Sequence, residues 1–378
     1  MSKAAELEDF ALYGGPVKAE VILDGKEVVN YGGCSYLGLT GHPVAEAAAT
    51  KALEQYGLAA SIARAYGVAN PVLLELEQVA ARFFGTEAAF CAAAGYLASP
   101  LAISALTDTN TRLYVDQVCH HSLVFGAQAT GQPIERYTHN LGWDDPEALR
   151  DFVLQTLRPG EKPLFAMDGI TGLLGDISPV PEFVRLADEF DGIVYVDDAH
   201  AVGVLGDNGR GTAEYFGIDS DRVCFGATFS KALGGLGGVI FGPEHFVARA
   251  RSSAMARGSN LGSIPHAAAA IALMEHLMAD KAPIQKLHRN IRVFKTLLQE
   301  LGVSLPAFPT SISSFAFGSY DDHAAMQRNL LQDHGIFLCH SNYTGAGPEG
   351  LIRIAVFADH SDDHLDHLIR ALTPYLSK

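Results

Sequence analysis

The sequence predicts an α/β protein with a mainly parallel sheet and helices on both faces. From about residue 87, short apolar strands alternate with amphipathic helices, which is typical of such sheets. Near residue 275 the pattern changes to strands interleaved with two helices, which indicates a smaller α+β domain. We therefore predict an N-terminal segment 1–40, a large domain 41–275 and a small C-terminal domain 276–378.

The composition is that of a globular protein, with 378 residues, 48% hydrophobic and 19% charged. The net charge of −16 disfavours binding to nucleic acids or anionic membranes, because both would repel the chain. Its five cysteines are far apart and include no CxxC pair, so we expect free thiols in a reducing, cytoplasmic environment. The acidic, weakly apolar N-terminus resembles neither a signal peptide nor a transit peptide.

The first part of the chain predicts a hairpin followed by helices. Strands Ala19–Asp24 and Glu27–Tyr31 flank an Asp-Gly turn. An irregular loop leads to an Ala-rich helix, Pro43–Tyr56, and Pro71 begins a helix that ends at Phe84. The uncharged stretch Ala88–Thr107 is long enough to span a bilayer. Its Gly, Pro and missing basic flanks favour a buried strand end and helix instead.

Six apolar segments predict strands of the large sheet, and Asp145 before Pro146 marks the start of a helix that runs to Leu157. The strands are Ala88–Cys91, Thr111–Val115, Leu164–Met167, Ile193–Val196, Val223–Ala227 and Val239–Phe241. The C-terminal part predicts helices Pro265–Asp280, Ala282–Leu301, Asp321–His334 and Ser361–Leu376, and strands Ser311–Phe317, Ile336–Cys339 and Gly350–Val356.

Sheets of this kind bind ligands at the carboxyl ends of their strands. Asp197 follows one predicted strand and Lys231 follows another, as expected if a flat, cationic, phosphorylated ring lies between them. Pyridoxal 5'-phosphate is such a ring: it needs a lysine for a Schiff base and a carboxylate beside its pyridine nitrogen. His200 can reach the phenolic oxygen of the ring, and His120 can stack on its face.

The phosphate of this cofactor needs backbone N–H groups at a helix start and hydroxyl groups. Gly95 and Tyr96 precede an Ala-rich helix and offer the N–H groups, while Thr228 offers a hydroxyl.

Other interpretations use the same residues. Asp197, Asp198 and His200 are of types that bind divalent metals, although we expect no metal site here. The GGLGG run at 234–238 could mark only a turn. The chain has no G-x-S-x-G motif, which disfavours a hydrolase triad. His121 is expected to be structural rather than catalytic.

Two motifs together, VDDAHAVGVLGDNGRG and TFSKALGGLGG, resemble the α-oxoamine synthase family of fold-type-I pyridoxal-phosphate enzymes. FCAAAGYLAS, DQVCHHSLVFGA with His-Asn at 139–140, and GDISPVPE support the resemblance, which runs from NYGGCSYLGLTGHP to LIRIAVFADH. It implies an aminotransferase-like fold with a mainly parallel seven-stranded sheet. It also implies a homodimer whose active sites lie at the interface.

The resemblance implies that Lys231 forms the Schiff base, that Asp197 faces the pyridine nitrogen and that His200 faces the phenolic oxygen. His120 would stack on the ring and assist proton transfer, and Arg353, in GLIRI, would bind the amino-acid carboxylate. The residues implied at the phosphate are Gly95, Tyr96 and Thr228.

The implied reaction condenses an amino acid with an acyl thioester, presented by coenzyme A or a carrier protein, to an α-amino ketone. The alternative is the same cofactor chemistry with another outcome, such as transamination, racemisation or other carbon–carbon bond formation. A third interpretation, a silent partner subunit, is disfavoured because such a subunit would be expected to lack Lys231.

The chain departs from the family pattern at several positions. Cys34 replaces an Asn beside the substrate carboxylate, and Gly172 replaces a Ser that commonly touches the cofactor. Ala94 stands where a Ser usually precedes the phosphate helix. The segment GSNLGSIPH replaces S-T-x-x-P-P, so either Ser259 or Ser263 could reach the neighbouring subunit's phosphate.

Overall fold

The computed structural model describes residues 11–260 and 262–376, so the first ten residues of the predicted segment 1–40 lie outside it. The chain begins with three antiparallel strands, β1 (Tyr13–Gly14), β2 (Glu20–Leu23) and β3 (Lys26–Asn30). The predicted hairpin is confirmed. Asp24 and Gly25 both have positive φ in its turn, as this tight connection requires. Strand β1 was not predicted.

The first two helices, α1 (Pro43–Tyr56) and α2 (Pro71–Phe84), have the predicted bounds. Each begins with Pro as its first residue, and the preceding side chain accepts a hydrogen bond from the backbone, His42 in α1 and Asn70 in α2. A short 3-10 helix, Arg64–Tyr66, lies between them.

The large sheet contains seven strands within the described residues. They are β4 (Ala88–Ala92), β5 (Thr111–Asp116), β6 (Ile134–Tyr137), β7 (Lys162–Asp168), β8 (Ile193–Asp197), β9 (Val223–Thr228) and β10 (Gly238–Gly242). Their order is β4-β10-β9-β8-β7-β5-β6, and β10 is antiparallel to both of its neighbours. All six predicted strands are present, and the seventh, β6, was missing from the predicted set.

Helices cover the sheet. The uncharged stretch Ala88–Thr107 forms strand β4 and the helix that follows it, as predicted. No helix in the described part of the chain is long and apolar enough to cross a membrane. The helices are α3 (Gly95–Leu106), α4 (His121–Ala129), α5 (Leu141–Asp144), α6 (Pro146–Thr156), α7 (Val180–Glu189), α8 (Thr212–Phe216), α9 (Glu244–Ser252), α10 (Ala254–Gly258), α11 (Ile264–Ala279) and α12 (Ala282–Glu300).

The C-terminal part contributes β11 (Ile312–Phe315), α13 (Tyr320–His334), β12 (Ile336–Phe337), β13 (Cys339–Ser341), β14 (Leu351–Ala355) and α14 (Asp362–Leu376). A small sheet has the order β11-β14-β13, whereas β12 pairs in parallel with β3. The single strand predicted at Ile336–Cys339 was therefore wrong, because its two halves join different sheets. The predicted limits of the domains stay a prediction.

The topology gathers polar strand ends at one edge of the large sheet. Asp116, Asp168, Asp197 and Thr228 are the last residues of β5, β7, β8 and β9, which run parallel to one another. This edge is therefore where a ligand site is expected.

Asn290 of α12 ties this helix to the chain that follows β14. Its side chain is fully buried, and its amide nitrogen donates to the carbonyls of Phe357 and His360, both at 3.0 Å. Buried carbonyls that lose their donor cost free energy, since water cannot replace it.

Asn290→Asp should lower the free energy of unfolding by about 1–3 kcal/mol, because a carboxyl oxygen would face carbonyl oxygens in place of the amide donor. Urea unfolding measures the effect. Asn329→Asp, on the exposed side of α13, is the matched control and should change stability by less than about 0.5 kcal/mol. Equal stability of the two variants would contradict this account of Asn290.

Candidate active site

A cavity of about 290 Å³ lies at the carboxyl edge of the large sheet. It brings together every residue predicted to bind the cofactor, whereas Arg353 and Cys34 lie beside it, behind His200. The predicted residues that line the cavity are Gly95, Tyr96, His120, Asp197, His200, Thr228 and Lys231. Their proximity is a finding; their individual roles stay predictions.

The carboxylate of Asp197 is fixed in orientation by two donors. Ser99 Oγ donates to Oδ2 at 2.7 Å, and the backbone N–H of Ala199 donates to Oδ1 at 3.0 Å. Ser99 lies on α3 and was not predicted, because nothing in the Ala-rich helix distinguishes it from the other small residues. Asp197 is thereby held rigidly at the base of the cavity.

Asp168 pairs with Asp197 across β7 and β8 and also lines the cavity. Burial, and then the charge of Asp197, raise the pKa of Asp168 well above its ordinary value. Its Oδ2 accepts a hydrogen bond from the backbone N–H of His120 at 2.9 Å. Burial and the charge of Asp197 both disfavour the ionised form of Asp168. Its position directly after a predicted strand was a signal that could have found it.

Lys231 Nζ lies 2.9 Å from His200 Nε2. Burial lowers the pKa of Lys231, although the charges of Cys34 and Asp197 act in the opposite direction. Burial and the charge of Lys231 also lower the pKa of His200 well below its ordinary value. His200 is therefore a neutral imidazole, and the amine of Lys231 loses its proton more readily than a surface lysine would.

Tyr36 connects this cavity to Arg353. Its hydroxyl lies 2.6 Å from His200 Nδ1 and accepts a hydrogen bond from Arg353 NH2 at 3.4 Å. Arg353 also donates from Nε to the carbonyl of Gly172 at 2.8 Å and from NH2 to Cys34 Sγ at 3.6 Å. Tyr36 was not predicted, since a tyrosine in an irregular loop carries no signal of its partners.

The start of α3 fits a phosphate group. Ala94, which precedes the helix, makes no side-chain cap, so the first N–H groups of α3 are open to the cavity. A Cβ atom on Gly95 would lie 2.4 Å from Thr228 Oγ1, so only glycine lets the start of α3 lie this close to the Thr228 hydroxyl without displacing it. Ser230 adds a second hydroxyl to the lining. These groups match what the phosphate of pyridoxal phosphate requires.

His120 lies at the side of the cavity, directly before α4. Its Nδ1 is 2.7 Å from Ser122 Oγ, and the Tyr96 ring packs edge-on at 5.8 Å between centroids. Burial lowers the pKa of His120, which favours a neutral, flat ring suited to stacking.

The metal interpretation of Asp197, Asp198 and His200 finds no support in the geometry. Asp198 accepts hydrogen bonds from the hydroxyl and the backbone N–H of Thr212, at 2.7 and 2.8 Å. No group of three or more metal-type ligands occurs among the residues that the structure describes.

His139 connects the loop that contains Gly172 to the end of β5. Its Nδ1 lies 2.8 Å from Asp116 Oδ2 and its Nε2 lies 3.4 Å from Asp176 Oδ2. Burial alone would lower the pKa of His139, but hydrogen bonds to the two carboxylates outweigh it and raise the pKa to about 9. A protonated His139 therefore connects the end of β5 to the loop whose carbonyl, at Gly172, accepts from Arg353.

Replacing His139 by Gln should lower the free energy of unfolding by on the order of 2 kcal/mol near neutral pH. Because the folded-state pKa is raised, the stabilisation is fully present below about pH 6.5 and is lost as pH rises through about 9. Urea unfolding of both proteins between pH 6 and 10 checks this. A stability difference that does not shrink with rising pH would contradict it.

Gly95→Ala should weaken binding of pyridoxal phosphate by at least about tenfold, because the added methyl group would occupy the space beside Thr228. Titration of the apoprotein with the cofactor, followed by absorbance, measures the affinity. Gly14→Ala is the control, since its Cβ would meet only Ile22 at an ordinary 3.8 Å. Equal cofactor affinities of the two variants would contradict the proposed position of the phosphate.

Comparisons with known proteins agree with this geometry. Residues 26–372 match the family model of class I and II aminotransferases. The chain is 36% identical to a putative 8-amino-7-oxononanoate synthase of Desulforudis audaxviator, over 95% of this chain and 91% of that protein. It is 31% identical to a serine palmitoyltransferase of Sphingobacterium spiritivorum, over 93% and 88% of the two chains.

Among solved structures, the fold is similar to serine palmitoyltransferase from S. paucimobilis with bound pyridoxal phosphate and myriocin. The TM-score is 0.86 at 26% identity, over 94% of this chain and 89% of that chain. The family match, the two relatives and the shared seven-stranded fold lead to one conclusion. The chain belongs to the class I and II aminotransferases, which are fold-type-I pyridoxal-phosphate enzymes, and within them to the α-oxoamine synthases.

Proposed function

We propose that this α-oxoamine synthase condenses an amino acid with an acyl thioester to an α-amino ketone. The observation that supports this best is the hydrogen-bonded connection from Lys231 through His200 and Tyr36 to Arg353. It connects a lysine that can react with the amino group of an amino acid to an arginine that can bind its carboxylate. One relative is named a palmitoyltransferase, and transfer of a palmitoyl group is an acyl transfer.

Pyridoxal phosphate, when bound, supplies an electron-accepting ring that stabilises negative charge at the Cα of the amino acid. Asp197, held by Ser99 and Ala199, would hold a proton on the pyridine nitrogen. The open start of α3, together with the Thr228 hydroxyl, would bind the phosphate. His120 would cover the ring.

Lys231 Nζ is the proposed base that removes the proton from Cα, and the lowered pKa produced by burial suits that role. His200, kept neutral by burial, would donate or accept at the phenolic oxygen without adding a charge. The raised pKa of Asp168 disfavours its ionised form, so Asp197 is the carboxylate proposed to face the pyridine nitrogen.

Arg353 is proposed to bind the carboxylate of the amino acid through its planar guanidinium group. With the carboxylate and amino ends both held, Cα is positioned to attack the carbonyl carbon of the thioester. The new carbon–carbon bond then forms as the thiol leaves, and loss of the amino-acid carboxylate as CO₂ gives the α-amino ketone. Coenzyme A or a carrier protein could present the acyl group, and the net charge of −16 disfavours an acidic carrier.

The proposed assembly is a homodimer with shared active sites. Two segments that are close in sequence expose large apolar side chains: Leu58 is 70% exposed and Tyr66 is 77% exposed. A bridge between Ala59 and Ser263 joins the segment of Leu58 to the segment that carries Ser259 and Ser263. Exposed apolar surface of this kind favours burial against another protein. A second copy would also place Ser259 or Ser263 near the neighbouring phosphate.

The compartment is proposed to be the cytoplasm. None of the five cysteines is paired in the structure, which suits a reducing environment.

Incubation with a panel of amino acids and acyl-coenzyme A thioesters should release free thiol for at least one pair. Lys231→Ala should reduce that rate by at least about 10³-fold, because it removes the proposed base and Schiff-base nitrogen. Lys51→Ala, an exposed lysine on α1, is the control and should retain the rate. If no pair releases thiol but an amino acid changes the cofactor spectrum, the alternative outcomes, transamination or racemisation, would be favoured.

The double variant Leu58→Asp, Tyr66→Asp should be monomeric, because two carboxylates would have to be buried in the proposed interface. Light scattering coupled to size-exclusion chromatography measures the mass. Tyr320→Asp, an exposed tyrosine on α13, is the control and should keep the wild-type mass. A wild-type monomer, or a double variant that remains dimeric, would contradict the proposed interface.

A further inference from the structure

The guanidinium group of Arg353 is buried, and its positive charge needs a negatively charged partner nearby. The residue is 6% exposed, and within the described chain no carboxylate lies within ion-pair distance of it. Its acceptors are the carbonyls of Gly172 and Gly33, the hydroxyl of Tyr36 and the sulfur of Cys34. A buried cation needs a counter-charge. The carbonyls cannot supply one, so the tyrosine and the cysteine remain.

Tyr36 is not that partner. It is fully buried, and burial raises the pKa of its hydroxyl well above the ordinary value, so it stays neutral. Cys339 also faces this group, but burial raises the pKa of its thiol, and its Sγ donates to the carbonyl of Gly32 at 3.1 Å. Cys339 is therefore a neutral donor.

Cys34 differs from Cys339 in its contacts with positive charge. Burial acts to raise the pKa of its thiol, but the charges of Arg353 and Lys231, together with hydrogen bonds to Tyr36 and Arg353, outweigh burial and lower the pKa below the ordinary value. Arg353 contacts the sulfur directly at 3.6 Å. Arginine stays charged at every accessible pH, so this effect persists whatever group Lys231 carries.

We propose that the Cys34 thiolate is the counter-ion of Arg353 in the substrate-free enzyme, and that the amino-acid carboxylate displaces it as the sulfur takes up one proton. The inference rests on the proposed function, because it takes Arg353 as the carboxylate site. No covalent bond to sulfur other than S–H forms, and nothing is oxidised. The proton comes from solvent, and the Arg353–carboxylate pair replaces the Arg353–thiolate pair.

This exchange makes amino-acid binding depend on pH. Below the pKa of Cys34 the sulfur is already protonated, so the carboxylate meets no competitor. Above that pKa the thiolate must first be protonated, and affinity falls by up to about tenfold per pH unit. The asparagine that the resemblance places at this position carries no charge and would impose no such dependence. Cys34 is thus a specificity-determining residue that sets the pH range for amino-acid binding.

The first test measures the thiolate itself in the holoenzyme without substrate. The ultraviolet thiolate absorbance of the wild type, minus that of Cys34→Ser, should titrate with a midpoint below the ordinary thiol pKa of about 8.5. Arg353→Gln should raise that midpoint by at least about one pH unit. A midpoint at or above about 8.5, or one that Arg353→Gln leaves unchanged, would overturn the proposal.

The second test uses three side chains of similar size at position 34. Serine never carries the charge, cysteine titrates and aspartate carries it throughout, so Cys34→Ser and Cys34→Asp bracket the wild type. With glycine, L-alanine and L-serine as probes, the ratio of wild-type KM to Cys34→Ser KM should rise with pH. Cys34→Asp should raise KM at least about tenfold with a smaller change in kcat. A KM ratio that is constant with pH would overturn the proposal.

The two tests separate this inference from the proposed function. The thiolate titration needs no turnover, so a low midpoint that depends on Arg353 would support the ion pair even if no thioester reacted. Thiol release from a thioester with an ordinary Cys34 midpoint would support the function and overturn the ion pair. Saturation with the reactive amino acid should raise the midpoint, since the carboxylate then occupies Arg353. An unchanged midpoint would also overturn the exchange.

Discussion

A buried carboxylate at the end of a parallel strand is the constraint on which the rest of the site depends. Asp197 and Asp168 end adjacent strands, and two ionised carboxyl groups at that depth would repel one another. The surroundings of the two carboxyl groups differ in a way that reduces this repulsion. Ser99 and the Ala199 backbone donate to Asp197, whereas burial and the charge of Asp197 raise the pKa of Asp168. The carboxyl group of Asp197 is thereby held in a fixed direction in the lining of the cavity.

The second charged group of the site is the guanidinium group of Arg353. Arg353 is connected to His200 through the Tyr36 hydroxyl, and Tyr36 and His200 are both neutral because burial shifts their pKa values. Lys231 lies between the two poles, in contact with His200. Under the proposed function, this field would orient a dipolar amino acid with its carboxylate toward Arg353. Because the connecting residues are buried and hydrogen-bonded, the distance between the poles is set by the fold.

The cofactor side of the site could be predicted from sequence because its residues have distinctive types and follow recognisable strands. Ser99 and Tyr36 could not, since their importance comes from tertiary contacts; Tyr36 is 164 residues from its partner His200. Strand β6 was missed because Glu135 and Arg136 occupy the middle of its four residues. Likewise, periodicity cannot show that Ile336–Phe337 and Cys339–Ser341 join different sheets, because pairing partners decide it.

Two of the four departures from the family pattern meet at one side chain. Cys34 and Gly172 are far apart in sequence, yet both contact the guanidinium group of Arg353, one through its sulfur and the other through its carbonyl. A Cβ on Gly172 would lie 2.6 Å from His200 Nε2, so a serine there would require this imidazole to move. Two changes therefore act on one group and on the histidine that leads to it. Asp197, His200 and Lys231 themselves keep the family pattern, so under the proposed function these two changes would act on how the chain holds the amino acid rather than on how it holds the cofactor.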